Sequence, residues 1–337
     1  MANPIRTGVL SFGLSGTVFH SPFLNEHPGF ELTGIVERTI KKAHKSYPKI
    51  RSYDSVTAII EDADIELIIV NTPNSTHFAF ASQALKAGKH VVLEKPFTIT
   101  SKEAKKLFAL ALENDRCIMP YQNRRYDSDF LSVKQVVESG KLGNLIEAHF
   151  RYDRYRYAIG TNIAKETNVP GSGVLYNLGP HLLDGVISLF GVPEKWKKTM
   201  GQFRPGTLVD DYAHIHLSYP DNLQVHITTS LLVADPGPAF VIYGTKGSYK
   251  KNRADVQEQQ LMMGMKPKDL RYGIEEPDQK GILTLISEAG EKNQTEVVSE
   301  RSSYIDVFED VYQTIRKGRP YPVTETQIIQ QLEILEA

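Results

Sequence analysis

The first 122 residues alternate between short β-branched runs and amphipathic segments, and this alternation limits the fold more than any other feature. Residues 5–10 are a short apolar run that ends in a glycine-containing turn. Residues 16–25 read as a helix, 31–37 as a second strand and 39–46 as a polar helix. Asp54 is expected to cap a helix through Ile60. Residues 65–70, rich in isoleucine and valine, mark a strand buried on both faces. Residues 75–87 read as a helix closed by Gly88, and 90–93 as a strand. Ser101 is expected to cap a helix over 101–113, with Ala104, Leu107, Phe108, Ala111 and Leu112 on its apolar face. A last short strand covers 117–121. Strand and helix at this spacing mean βαβ units with right-handed crossovers. The expected fold is a doubly wound parallel sheet of the Rossmann type.

After Gln122 the pattern changes. Helices are expected over 129–139 and 175–190, and a strand with aromatic and basic character over 146–157. Alternating segments at 211–219, 223–232 and 239–243 read as antiparallel strands, with a turn at Pro220-Asp221-Asn222. The polar stretch 251–300 gives no assignable pattern. Helices are expected over 304–316 and 326–336. The chain is therefore read as α/β overall: a Rossmann domain over 1–122, then an α+β domain over 123–337 with a large, mostly antiparallel sheet. A length of 337 residues suits two domains.

Composition narrows the class of function. Lys plus Arg is 39 and Asp plus Glu is 40, a net charge of -1, so no global basic bias draws the chain to nucleic acid or to a membrane surface. No apolar run approaches the roughly 20 residues of a membrane span. MANPIRTGVLSFG carries no long apolar stretch of the signal-peptide kind. Cys117 is the lone cysteine, which excludes an internal disulfide and suits a reducing, cytoplasmic setting.

Five groups of residues are candidates for chemistry. Ser11-Phe12-Gly13-Leu14-Ser15-Gly16 follows a strand and opens a helix, with G-x-G-x-x-G spacing and serine in place of the first glycine. Gly13 lets the backbone approach a pyrophosphate, and Gly16 places free N–H groups at a helix start. A plain glycine turn is the alternative. Glu37 ends the second strand, where an acidic residue binds ribose hydroxyls; Arg38, Lys41 and Lys42 follow and suit a 2′-phosphate instead. NAD and NADP both remain open. Glu94-Lys95-Pro96 ends another strand of the parallel sheet, on the edge where ligands bind, although a lysine there is commonly a plain surface residue. In GSGVLYNLGPHLLD, Asn177 and His181 stand four apart and share a helix face. That histidine is either a proton carrier near neutral pH or a satisfied core residue. His214 and His216 share a strand face but lack a ligand set, so no metal is expected. The run Arg151–Tyr157 (RYDRYRY) suits RNA stacking or a polyhydroxylated ligand, or is simply a strand with one wet face.

The stretches SFGLSGTVFHSPF, VNTPNSTH, ALKAGKHVVLEKPF, NRRYDSDF and YNLGPHLLD, in this order, resemble the glucose–fructose oxidoreductase, inositol dehydrogenase and MocA (Gfo/Idh/MocA) family. VFHSP and NRRYDSDF resemble its branch of NADP-dependent scyllo-inositol dehydrogenases. The resemblance implies NAD(P)-dependent oxidation or reduction of a cyclic polyol or sugar, with a non-catalytic sensor of dinucleotide or sugar as the alternative. It implies a catalytic lysine at Lys95, an acid/base at His181, and a nicotinamide site lined by Asn71, Thr72, Pro73, Asn74 and His77 beside Glu94. Asn177, Arg124 and Tyr155 are assigned to the substrate. A cis Lys95–Pro96 bond and a homodimer or homotetramer built through the second domain's sheet are also implied. Asn177 stands where most members have aspartate, and an amide cannot accept a proton.

Overall fold

The computed structural model describes residues 3–160 and 166–337. They form two compact units. The first gathers Met1–Asn123, Gln257–Tyr272 and Ser303–Ile329; the second gathers Arg124–Val256, Gly273–Ser302 and Gln330–Ala337. Two segments late in the sequence thus join the first unit.

The first unit is built on β1 (Ile5–Val9), β2 (Phe30–Val36), β3 (Arg51–Tyr53), β4 (Leu67–Val70), β5 (His90–Leu93) and β6 (Ile118–Pro120). They form a six-stranded sheet in the order β3-β2-β1-β4-β5-β6, and every pair is parallel. All four residues of β4 are buried, as a central strand covered on both faces requires. Helices α1 (Ser21–Glu26), α2 (Val56–Glu61), α3 (His77–Lys86) and α4 (Ser101–Glu113) follow in turn. The helix Ile305–Lys317 belongs here through aromatic packing. Phe308 stacks on Phe23 at 5.9 Å and meets Phe30 edge-on at 5.9 Å.

Several local expectations need correction. The stretch 39–46 holds only the 3₁₀ turn Ala43–Lys45. It has no apolar face to bury, and the N–H groups of Lys42 and Ala43 go to the Glu37 carboxylate instead of a helix ladder. The segment after the fingerprint is a π-helical turn, Ser15–His20, that passes into α1. Pro22 stands in the first turn of α1, where its missing N–H has no intrahelical partner to lose. Ser55, not Asp54, caps α2, and its hydroxyl accepts the Ala58 N–H at 3.1 Å. Thr100, not Ser101, caps α4 in a reciprocal capping box with Glu103.

The second unit holds α5 (Ser128–Glu138), β7 (Leu145–Asp153), α6 (Gly173–Phe190), β8 (Lys195–Gly201), β9 (Tyr212–Ser218), β10 (Gln224–Ser230), β11 (Phe240–Gly244), β12 (Gly247–Lys251), β13 (Gly281–Ile286) and β14 (Lys292–Val297). The eight strands run β14-β13-β12-β11-β7-β10-β9-β8. The interior pair β7–β10 is parallel and the others are antiparallel. Strand β7 is shorter than the sequence suggests: Tyr155 makes only an isolated bridge to Leu232. Strands β13 and β14 fall in the stretch 251–300 that showed no pattern.

Along β7 the residues Ala148, Phe150 and Tyr152 are buried, while Glu147, His149, Arg151 and Asp153 lie on the opposite face. That outer face carries a row of imidazoles. His226 stacks on His216 at 4.7 Å and on His149 at 5.0 Å, and His214 lies 5.5 Å from it. Lys197 and Val241 extend the row on either side. His149 bonds Glu147, and Arg151 bonds Asp153. Among the described residues no group of three or more His, Cys, Asp and Glu converges on a metal position. None of the described helices is long and apolar enough to cross a membrane.

The imidazole row makes stability depend on pH. Partial burial, then neighbouring His216, holds both His214 and His226 below the ordinary histidine value; His149 adds to this at both, and Arg151 at His214. The unfolded chain therefore binds these protons more readily than the folded one. Their contribution is complete above about pH 6.5 and is lost as the pH falls below it. His226→Gln removes the central ring, so the drop in Tm between pH 7.5 and 5.5 should be smaller than in wild type by calorimetry. An unchanged drop contradicts the assignment.

Candidate dinucleotide and substrate sites

In the first unit the strand order reverses between β1 and β4, and ligands bind at the carboxyl edge of such a switch point. Three loops leave the sheet on that edge, after β1, β4 and β5, and side chains lock them together. Asn71, directly after β4, donates Nδ2–H to the Ser11 carbonyl at 3.0 Å. His77, at the start of α3, sits between the carbonyls of Thr72 and Pro96, each 2.9 Å from a ring nitrogen. Burial lowers the pKa of His77 below the ordinary histidine value, against the pull of those two acceptors. Thr72 and Thr76 exchange a hydroxyl bond at 2.7 Å, leading into the short turn Asn74–Thr76 after Pro73.

Glu94 joins the remaining pair of loops. Its Oε1 accepts the Ser15 hydroxyl at 2.7 Å and His20 Nε2–H at 2.8 Å, and its Oε2 accepts the Lys95 N–H at 3.1 Å. Burial alone raises a carboxyl pKa, but the His20 and Ser15 donors and the Lys95 charge outweigh it and hold Glu94 near 2. Glu94 is therefore ionised at every working pH. Lys95 is half-buried on the same edge, and its bond to Pro96 is cis.

The fingerprint turn fits a dinucleotide. Gly13 and Leu14 are exposed, and Ser11 Oγ accepts the Gly13 N–H at 3.3 Å. A Cβ on Gly13 would meet only Ser11 Oγ, at 3.5 Å, so the turn is open to an approaching group. A Cβ on Gly16 would lie 2.0 Å from the Ser11 carbonyl oxygen and 3.1 Å from Asn71 Nδ2. Asn71 Oδ1 is buried with no hydrogen-bond partner among the described residues, an acceptor left for a ligand. At the end of β2, Glu37 is buried and turned inward. It accepts the N–H groups of Lys42 at 2.5 Å and Ala43 at 3.0 Å, and the Ser52 hydroxyl at 2.9 Å. Arg38 and Lys42 are exposed beside it, while Lys41 pairs with Asp54.

In the second unit α6 is buried along most of its length. Asn177 and His181 lie on its half-exposed face, so His181 is not a core histidine. The helix is anchored at both ends of this stripe. Asp210 takes the Val174 N–H on its backbone carbonyl at 2.9 Å and the Leu175 N–H on Oδ2 at 2.7 Å. A Cβ at Gly173, where φ is +83°, would collide with Asp210 Oδ1 at 1.9 Å. One turn beyond His181, buried Asp184 receives a guanidinium fork from Arg125, Nε at 2.7 Å and Nη2 at 2.8 Å, plus Gln331 Nε2 at 2.9 Å. Arg124 points its charge at Asp127 and Asp255, at 2.9 and 2.7 Å, with its guanidinium 5.4 Å from the Tyr152 ring centre. Tyr155 is exposed. Sequence reasoning gave no role to His20, Asp210 or Asp184. His20 and Asp184 lie inside the motifs quoted above; nothing marked Asp210.

A doubly wound sheet with these loops at its switch point defines a dinucleotide-binding protein. Residues 5–122 match the model of the oxidoreductase family with an NAD-binding Rossmann fold, and residues 130–250 match the GFO/IDH/MocA C-terminal domain. The chain belongs to the Gfo/Idh/MocA family, and it is an NAD(P)-dependent oxidoreductase. It is 37% identical over 353 residues to the uncharacterized oxidoreductase C115.03 of Schizosaccharomyces pombe, covering 99% of this chain and 96% of that one. It is 33% identical over 333 residues to the scyllo-inositol 2-dehydrogenase (NADP(+)) IolW of Bacillus subtilis, covering 99% and 92%. Among solved structures, an oxidoreductase from Bacillus cereus superposes with a TM-score of 0.90 at 32% identity, covering 98% and 95%.

Gly16→Ala tests the turn. The added Cβ forces the Ser11 carbonyl aside and strains the Asn71 bond. Stability should fall by about 1–3 kcal/mol in denaturant titrations, and NADPH binding by fluorescence should weaken with it. Wild-type affinity in the variant contradicts a close turn at Gly16.

Proposed function

We propose that the chain transfers hydride between a nicotinamide cofactor and the carbinol or keto carbon of a cyclic polyol or sugar. The observation that carries the reading is the half-exposed pair Asn177 and His181 on an otherwise buried, doubly anchored helix. The name of the IolW relative, an inositol dehydrogenase, supports the substrate class. Residues 1–122 bind the dinucleotide in this reading, and 123–337 carry substrate residues and the sheet through which a homodimer or homotetramer assembles in the cytoplasm.

Ser11, Gly13, Leu14, Ser15 and Gly16 would hold the pyrophosphate, and Asn71, Thr72, Pro73, Asn74, His77 and Glu94 the nicotinamide half. A bound nicotinamide supplies the hydride acceptor or donor at its C4 position. In the oxidative direction His181 takes the proton from the reacting hydroxyl. Lys95 orients that hydroxyl and stabilises the negative charge that develops on its oxygen. Asn177 binds a neighbouring hydroxyl, since its amide donates and accepts hydrogen bonds but takes no proton. Arg124 and Tyr155 complete the substrate side, Arg124 by fixing the chain around Asp127 and Asp255. Exposed Arg38 and Lys42 receive a 2′-phosphate, which makes NADP the preferred cofactor, while Glu37 folds the loop that presents them.

Lys95→Ala and His181→Ala should each lower turnover of scyllo-inositol with NADP about 10²–10⁴-fold, with the Kd for NADPH nearly unchanged. Asn177→Ala should chiefly raise KM. Near-native turnover of His181→Ala from pH 6 to 9 removes the histidine from the mechanism.

Glu37→Ser separates two roles of that carboxylate. As a loop scaffold its loss should weaken binding of both NADH and NADPH, measured as paired Kd values. Tighter NADPH binding alone would instead show that Glu37 acts by repelling the 2′-phosphate.

A further inference from the structure

His20 is fully buried in the π-helical turn that follows the fingerprint, and the mechanism above does not use it. Its ring lies 4.3 Å from that of Tyr121 and 6.2 Å from that of Phe308, among aromatic side chains. Tyr121 is itself pinned by its hydroxyl to the Phe19 carbonyl at 2.7 Å. His20 Nε2 makes one polar contact, to Glu94 Oε1 at 2.8 Å, and Nδ1 is buried with no hydrogen-bond partner among the described residues. Leaving a buried ring nitrogen unpaired costs stability. Packing alone therefore does not explain a histidine here; the Nε2–H donor does. That donor shares Glu94 Oε1 with the Ser15 hydroxyl, while the other carboxylate oxygen holds the Lys95 N–H.

We propose that His20 is a positioning residue: through Glu94 it sets the backbone and the electrostatic surroundings of Lys95, and it couples them to the turn that takes the pyrophosphate. The inference rests on the catalytic role given to Lys95. His20 touches neither substrate nor cofactor in this account. With Oε1 short of a donor, the carboxylate is free to rotate away from Ser15 and the Lys95 N–H, and both loops lose their common reference.

Two variants separate a donor from a filler: His20→Gln keeps an N–H for Glu94, and His20→Leu fills the space without one. Turnover with NADP and scyllo-inositol is measured beside the Kd for NADPH. The rate at which acetic anhydride labels Lys95 in the substrate-free protein, read by peptide mass spectrometry, gives a readout independent of activity. His20→Leu should lower kcat about 10–100-fold with KM little changed, and shift the Lys95 labelling rate. His20→Gln should restore both kcat and labelling to near wild type. Wild-type labelling of Lys95 in His20→Leu overturns the proposal, as does a His20→Gln variant as impaired as His20→Leu. A wild-type protein that turns over no polyol overturns the proposed function instead, while the labelling comparison still decides the role of His20.

Discussion

The carboxylate of Glu94 is the constraint on which the dinucleotide edge depends. It is an ionised group taken largely out of water, and only charge-assisted hydrogen bonds make that tolerable. Those bonds come from three places: the hydroxyl of Ser15 in the fingerprint, the ring of His20 behind it, and the N–H of Lys95 after β5. The cost of burying the charge is thereby converted into geometry. Losing any one donor leaves the carboxylate underpaired, so the loop after β1 and the loop after β5 are held in one arrangement. Asn71 and His77 extend the same logic to the loop after β4.

The second unit meets a comparable problem by different means. Helix α6 is apolar enough to disappear into the unit, yet it must leave Asn177 and His181 within reach of solvent. Asp210 fixes its first turn and the Arg125–Asp184 fork fixes the turn after His181. A bidentate guanidinium sets both the position and the rotation of what it holds. These anchors hold the stripe toward solvent, although most of the neighbouring positions are apolar or small.

The parallel sheet was legible because its strands obey a local rule. A run such as Leu67–Val70 is apolar at every position, and that pattern belongs to a strand covered on both faces. The fingerprint turn was legible because glycine spacing reports backbone approach directly. What escaped the sequence depends on distant partners. The stretch 39–46 looks helical until Glu37, buried behind it, claims its N–H groups. Strand β14, Lys-Asn-Gln-Thr-Glu-Val, is exposed at five of six positions and carries no alternation to read. The helix Ile305–Lys317 gives its apolar stripe to Phe23 and Phe30, nearly three hundred residues earlier, and no local pattern announces that. Among candidate site residues, Lys95 and His181 stood out by type and place. The inward turn of Glu37 and the capping role of Asp210 required coordinates.

The central claim is hydride transfer to or from a polyol carbon, and isotope transfer tests it most directly. The protein is incubated with NADPH deuterated at the transferable C4 position and a keto-inositol, and the polyol is examined by mass spectrometry and NMR. The account predicts one deuterium per product molecule, located on the new carbinol carbon, with matching loss from the nicotinamide. Binding of both compounds with no deuterium on the polyol, across a panel of cyclic and open-chain ketones, would contradict it.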